Sequence, residues 1–195
     1  NILKENIPKI LSEISWKKSM KWSNYSLVWG RPLRSILSIF NNKHLKFSYY
    51  HLKSSNIISC INDLKEVRKS INSLKDYKST LEKNDIIVDH EQRKNIIQKE
   101  IDKICKSKSL FQDKDEKLLN EISNIVEKPY IIFINFNKDY LSIPKEIIIS
   151  TLKVNQKYIP LFDKNKDLTN NFIVVSNKRD RKNFKKIGNK RVVEA

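Results

Sequence analysis

Apolar residues recur at Ile7, Ile10, Leu11 and Ile14, the i, i+3, i+4, i+7 spacing of one helix face. Asn6 is placed to cap that helix and Pro8 to occupy its first turn. Residues 16–29 are irregular and rich in aromatic rings and lysine, and Gly30-Arg31-Pro32 then breaks the chain. Residues 33–40 read as a buried strand and 46–52 as its neighbour, joined by a turn at Asn41-Asn42-Lys43. Residues 54–73 show no clear period. Leu74, Tyr77 and Leu81 mark a helix, and Ile86-Ile87-Val88 a short strand. Asp89 can cap a long helix with Ile97, Ile101, Ile104 and Cys105 on one face. The next helix turns Leu118, Leu119, Ile122, Ile125 and Val126 inward and stops at Pro129. Residues 130–136 are almost wholly apolar and read as a central strand. Ser142 is expected to cap a helix begun by Pro144 and running to about Asn155. A last strand pair, 158–162 and 171–176, folds around Lys164-Asn165-Lys166-Asp167.

Helices and strands interleaved in this way predict an α/β (mixed α+β) fold: one layered domain with a mixed sheet and packed helices. The reading places that domain at 1–176 and a basic connector toward a further domain at 177–195. A chain of 195 residues can bury roughly 70% of its unfolded surface, enough for a core. No apolar run approaches the roughly 20 residues that span a bilayer, and no signal-peptide pattern opens the chain. No membrane partner is expected, and with Cys60 and Cys105 as the only thiols a reduced, cytoplasmic setting is the default expectation. Its first residue is Asn1, and it reads as a piece of a longer protein.

Charge narrows the partners. Lys plus Arg number 39 against 22 Asp plus Glu, for a net +17. Such an excess suits a polyanion: nucleic acid, acidic lipid or acidic protein. Lysine supplies 32 of those cations and arginine only 7, while Ile, Lys and Asn together make up 81 residues. These three share A/T-rich codons, so base composition accounts for part of the lysine. Arginine, the residue that grips phosphate with a two-pronged fork, is scarce.

Little in the chain points to catalysis or metal. Cys60 and Cys105 are too few for a disulfide framework and form no CxxC, and His44, His51 and His90 have no metal-ligand spacing. Two glycines cannot build a glycine-rich phosphate cradle, and no GxSxG elbow occurs. Asp89-His90-Glu91 suits either acid–base work or, more simply, a capped helix start with exposed charges. No catalytic residue or metal ligand is nominated. Trp16-Lys17-Lys18-Ser19-Met20-Lys21-Trp22 stands out. Cations between stackable rings suit single-stranded or distorted RNA; equally, the tryptophans could plug a core edge while the lysines face water.

At these residues the chain resembles the β subunit of bacterial glycyl-tRNA synthetase. Lys18-Ser19-Met20-Lys21-Trp22 with Trp29-Gly30-Arg31-Pro32-Leu33-Arg34 is similar to that family's K-x-M-x-W … R-P pattern. Val88 through Arg93, Val126-Glu127-Lys128-Pro129, Tyr140-Leu141-Ser142-Ile143-Pro144-Lys145-Glu146, residues 150–158 and Gly188-Asn189-Lys190-Arg191-Val192 follow in order, each resembling a family motif. There are departures: Cys60-Ile61-Asn62-Asp63 stands where the family usually has Gly-His-Arg-Phe, and Asn155 and Ile159 replace the His and Phe of its H-Q-K-Y-F.

The resemblance implies an N-terminal-to-middle portion of a longer β chain, with a fold like the editing module of the phenylalanyl-tRNA synthetase β chain. It implies tRNA for glycine, the α chain and the remaining β-chain domains as partners. Glycine activation with ATP and magnesium would belong to the α chain, and no cofactor is expected here. Under this reading Lys17, Lys18 and Lys21 meet backbone phosphate, Arg31 and Arg34 act as forks and Trp22 stacks a base. Lys153, Gln156 and Lys157, at one helix end, would add a second patch. An editing hydrolase acting on mischarged tRNA and a structural scaffold for the α chain are the alternatives.

Overall fold

The computed structural model of the chain describes residues 2–62 and 65–195. These form two compact units divided between Asn84 and Asp85. The contacts thus divide at 84/85, while at the expected 176/177 boundary the chain runs on into a helix packed on the C-terminal unit.

The N-terminal unit opens with α1 (Ile2–Glu13). Pro8 lies in the middle of α1, and Asn6 is not a cap: its side-chain amide donates to the Ile2 carbonyl one turn back. Short strands follow: β1 (Met20–Lys21), β2 (Val28–Trp29), β3 (Ile36–Leu37), β4 (Ile39–Phe40), β5 (Lys43–His44), β6 (Ser48–Tyr49) and β7 (Leu52–Ser55). The turn at Asn41-Asn42 forms as expected. Both residues have positive φ (47° and 58°), and β4 pairs antiparallel with β5 across them. Asparagine tolerates that left-handed conformation, which matches the twist of a two-residue hairpin. The two longer strands expected at 33–40 and 46–52 are instead broken into pieces. Tyr50, with φ 51°, folds β6 back on β7, and β3 pairs parallel with β7. The region without a clear period is a hairpin of β8 (Ile57–Asn62) and β9 (Lys65–Ser70). Its Cys60 is buried; Asp63, the last residue of the departure from the Gly-His-Arg-Phe pattern, lies outside the described residues. α2 (Leu74–Lys83) closes the unit, capped by Ser73.

The C-terminal unit comprises α3 (His90–Lys108), β10 (Phe111–Gln112), α4 (Glu116–Ile125), β11 (Tyr130–Asn135), α5 (Lys145–Ser150), β12 (Ile159–Phe162), β13 (Leu168–Ser176) and α6 (Phe184–Glu194). No strand forms at 86–88. Asp89 caps α3 as expected, its carboxylate accepting from the Glu91 and Gln92 amides at 2.9 and 3.3 Å. Ser142 is not a cap. It ends a 3-10 turn, Lys138–Ser142, and α5 starts uncapped behind Pro144 before widening into a π-turn over Thr151–Asn155.

The four strands form one antiparallel sheet in the order β10-β12-β13-β11. The expected mixed sheet is thus absent from this unit, and parallel pairing is confined to β3 and β7 among the described residues. β11 lies at the sheet edge, not the centre. Its apolar run reports burial on both faces rather than a central place in the hydrogen-bond order. Side chains alternate across a strand, and here each face has its own core. Ile131, Phe133, Ile159, Leu161, Ile173 and Val175 meet α3 and α4 through Ile97, Ile101, Leu118, Leu119 and Ile122. Ile132, Ile134, Phe136, Phe172 and Val174 meet Ile148, Leu152, Tyr158 and Val193 on the other side. Ile125, expected inward, is 65% exposed; Val126 is buried in its place as the chain leaves α4.

Phe172 is fully buried with Phe136 and Tyr158 against its ring. Phe172→Ala should lower unfolding free energy by about 3–5 kcal/mol, read as a fall in the urea midpoint with unchanged slope.

Candidate nucleic-acid interface

The aromatic–basic segment folds around the β1–β2 hairpin, where Lys21 pairs with Val28 and Met20 with Trp29. Three rings run from surface to core. Trp16 lies 4.9 Å from Trp29, and Trp29 lies edge-on 5.9 Å from buried Tyr49. Trp29 packs with Leu27, Leu33 and Leu52, so it plugs the core edge. Trp16 and Trp22 remain 42% and 44% exposed. Two of the three tryptophans therefore keep ring surface for another molecule.

Gly30 makes this arrangement possible. A Cβ there would sit 2.6 Å from the Trp16 ring, closer than any carbon contact allows. Between 16–18 and 29–33 runs an open groove of about 550 Å³, walled by Trp16, Lys17, Lys18, Trp29, Arg31 and Leu33. Lys17, Lys18, Lys21 and Arg31 are exposed and make no ion pair among the described residues. Arg31 is thus not the partner of a buried carboxylate. Arg34 sets its guanidinium 5.9 Å from the Trp22 ring centre, a cation–π contact that orients both groups. Nearby, Tyr25 stacks flat on His51 at 3.5 Å, a pairing of residues 26 apart that spacing alone could not announce.

The second expected patch lies in the other unit and has a different character. Lys153 Nζ donates to Asp113 and Asp115 at 3.1 and 3.2 Å, and Lys157 Nζ meets Glu121 at 2.7 Å. Gln156 is half-buried at the end of the π-turn, its backbone N–H donating to the Thr151 carbonyl. Burial pulls the Lys153 ammonium pKa down, but the bonds to Asp113 and Asp115 outweigh it and hold the ammonium above its ordinary value. Asp115 is held below the ordinary aspartate range, first by the Leu118 amide it caps and also by Lys153, against the opposing pull of burial. These cations tie the π-turn and the residues after it to α4, whereas Lys17, Lys18, Lys21 and Arg31 make no ion pair among the described residues.

Arg93, the last residue of one family-like motif, is likewise engaged internally. It donates to the Ser123 carbonyl at 2.7 Å and to the Val88 and Ile87 carbonyls, holding α3, α4 and the segment that leads into α3 together. His90 is exposed at the first turn of α3 beside Glu91, as a capped helix start requires. Among the described residues no three His, Cys, Asp or Glu side chains gather as a metal site, and no helix is long and apolar enough to cross a membrane.

A family model described as the glycyl-tRNA synthetase beta subunit matches residues 1–195. The chain is 35% identical over 197 residues to a glycine–tRNA ligase beta subunit of Dictyoglomus thermophilum, covering all of this chain and 28% of that protein. It is 34% identical over 195 residues to that of Clostridioides difficile, again covering 100% and 28%. Against that of Buchnera aphidicola it is 36% identical over 195 residues, covering 97% and 28%. The chain thus spans 28% of the length of these relatives.

Two measurements check this geometry. Gly30→Ala should push Trp16 off its seat, shift tryptophan emission to longer wavelength and cost about 1–3 kcal/mol. Asp115→Ala should cost about 1–2 kcal/mol near neutral pH through the lost cap. A carboxylate with a depressed folded pKa stabilises above its unfolded pKa of about 3.9 and loses that contribution as pH falls through the folded value. The gap between the two chains in urea titrations should therefore narrow below about pH 4.

Proposed function

The chain belongs to the glycyl-tRNA synthetase beta subunit family, and from that premise we propose that it contributes tRNA binding to the attachment of glycine to its tRNA. The observation that carries the proposal is the groove of the N-terminal unit. It brings three exposed, unpaired cations, Lys17, Lys18 and Arg31, beside half-exposed Trp16, and exposed Lys21 and half-exposed Trp22 follow on the adjoining β1–β2 hairpin. Phosphates meet Lys17, Lys18, Lys21 and Arg31, which position the strand; Trp16 and Trp22 offer faces on which an unpaired base stacks. Arg34 already lies near the Trp22 ring and adds charge there.

In the same proposal the relatives' beta-subunit names supply the partners: an α chain and the rest of the β chain. ATP and magnesium are assigned to the α chain, and the whole is cytoplasmic. The likeness to the editing module of the phenylalanyl-tRNA synthetase β chain enters as an expectation of fold. Lys153 and Lys157 are assigned to scaffolding, because their ammonium groups already face carboxylates.

The test is a salt series on the full-length β chain with tRNA for glycine. Each phosphate contact removed should lower the slope of log affinity against log salt by about 1. Changing Lys17, Lys18, Lys21 and Arg31 to alanine should lower it by about 2–4 and weaken binding at about 0.15 M salt at least tenfold. An unchanged slope would reject the groove as an RNA site.

A further inference from the structure

The most concentrated charge in the chain lies outside the groove. Residues 178–186 carry Lys178, Arg179, Arg181, Lys182, Lys185 and Lys186 against the lone carboxylate of Asp180. Codon drift enriches lysine and leaves arginine scarce, yet three of the seven arginines, Arg179, Arg181 and Arg191, fall within residues 179–191.

This segment is built, not loose. Ser176 Oγ donates to the Lys178 carbonyl at 3.0 Å. Lys185 Nζ donates to that same carbonyl at 2.8 Å and to the Ser176 hydroxyl. Asp180 accepts from the Lys185 and Lys186 amides at 3.2 and 2.8 Å, which closes the first turn of α6. Asp180 and Lys185 are therefore spent on holding the loop. Burial pushes the Lys185 ammonium pKa down; Asp180 opposes that and Lys178 adds to it. Arg179 lies 5.9 Å from the centre of the Tyr130 ring on β11. Lys178, Arg179, Arg181 and Lys182 are all exposed with no ion pair among the described residues, and Phe184 beside them is 70% exposed. A loop pinned at both ends presents its charges without a further ordering cost on binding.

We infer that residues 177–184 are a second RNA-binding surface, carried by the C-terminal unit, in which Lys178, Arg179, Arg181 and Lys182 take backbone phosphates and Phe184 stacks an unpaired base. Arginine forks and an exposed ring suit single-stranded or distorted RNA. A membrane surface fits less well. The apolar and charged residues of α6 are spread around the helix rather than segregated onto two faces, as an interfacial helix requires. The inference rests on the RNA-binding reading above but uses none of its residues.

The experiment uses the full-length β chain, labelled tRNA for glycine, a labelled single-stranded RNA dodecamer, and vesicles of phosphatidylserine and phosphatidylcholine. Changing Lys178, Arg181 and Lys182 to alanine should lower the salt slope for both RNAs by about 2–3 and weaken binding at least tenfold. Changing exposed Lys99, Lys106 and Lys114 to alanine alters net charge equally and should leave the slope in place. Phe184→Ala should weaken the dodecamer about fivefold with the slope unchanged, and Phe184→Trp should restore it. Equal losses in the matched lysine variant, an unchanged slope in the loop variant, or loss of vesicle binding alone would overturn the inference. Repeating the loop changes on top of the Lys17, Lys18, Lys21 and Arg31 variant separates the two sites. A loop effect that persists when the groove changes do nothing removes only the groove, and the reverse removes only the loop.

Discussion

The C-terminal unit depends on one constraint: a single antiparallel sheet must bury both of its faces at once. β11, β12 and β13 achieve this by alternation. Odd-numbered residues from Ile131 to Val175 meet α3 and α4, while even-numbered residues from Ile132 to Val174 meet α5, its π-turn and α6. A shift of one residue in β11 against β13 would exchange the two cores. The polar devices around the sheet serve that register. Arg93 gathers the carbonyls at the start of α3 and along α4. Lys153 clamps the π-turn to the cap of α4. Asn137 and Tyr140 bond to Glu194 at the end of α6. Each joins a helix, cap or turn on one face to a fixed point elsewhere in the unit.

The N-terminal unit solves a different problem with little regular structure. Its strands are mostly two residues long, and its core is a small aromatic and aliphatic cluster around Leu27, Tyr49 and Leu52. The step from Trp16 to Trp29 to Tyr49 extends that cluster to the surface, and the missing side chain of Gly30 lets Trp16 approach. Packing and exposed surface are thus continuous here: the tryptophan that anchors the hairpin touches the one that faces solvent. The cations on this segment add no desolvation cost to folding because they stay in water.

A net charge of +17 is not one property but two populations. Lys94, Lys128, Lys153 and Lys157 face carboxylates and serve the fold. Lys17, Lys18, Lys21 and Arg31 in one unit, and Lys178, Arg181 and Lys182 in the other, face none among the described residues. Composition counts both alike. Only the second population supplies field to a polyanion, because a paired cation must give up its partner before it gains a phosphate.

Much of the fold was legible in local pattern. The helix faces of α3 and α4, the Asp89 cap, the Asn41-Asn42 turn and the β12–β13 pair follow from period, capping chemistry and backbone preference, which act within a few residues. The family was legible in ordered motifs whose spacing survives divergence. Tertiary structure alone decided the rest. An apolar run declares two buried faces but not its rank in the sheet, so β11 came out at the edge. A lysine declares charge but not its neighbours, so Lys153 and Lys157 became clamps while Lys17 and Lys18 stayed open. A glycine declares freedom but not what lies against it, so the need for Gly30 emerged only with the Trp16 ring. Pairings between residues far apart in the chain set each of these outcomes, and no local pattern records the partner.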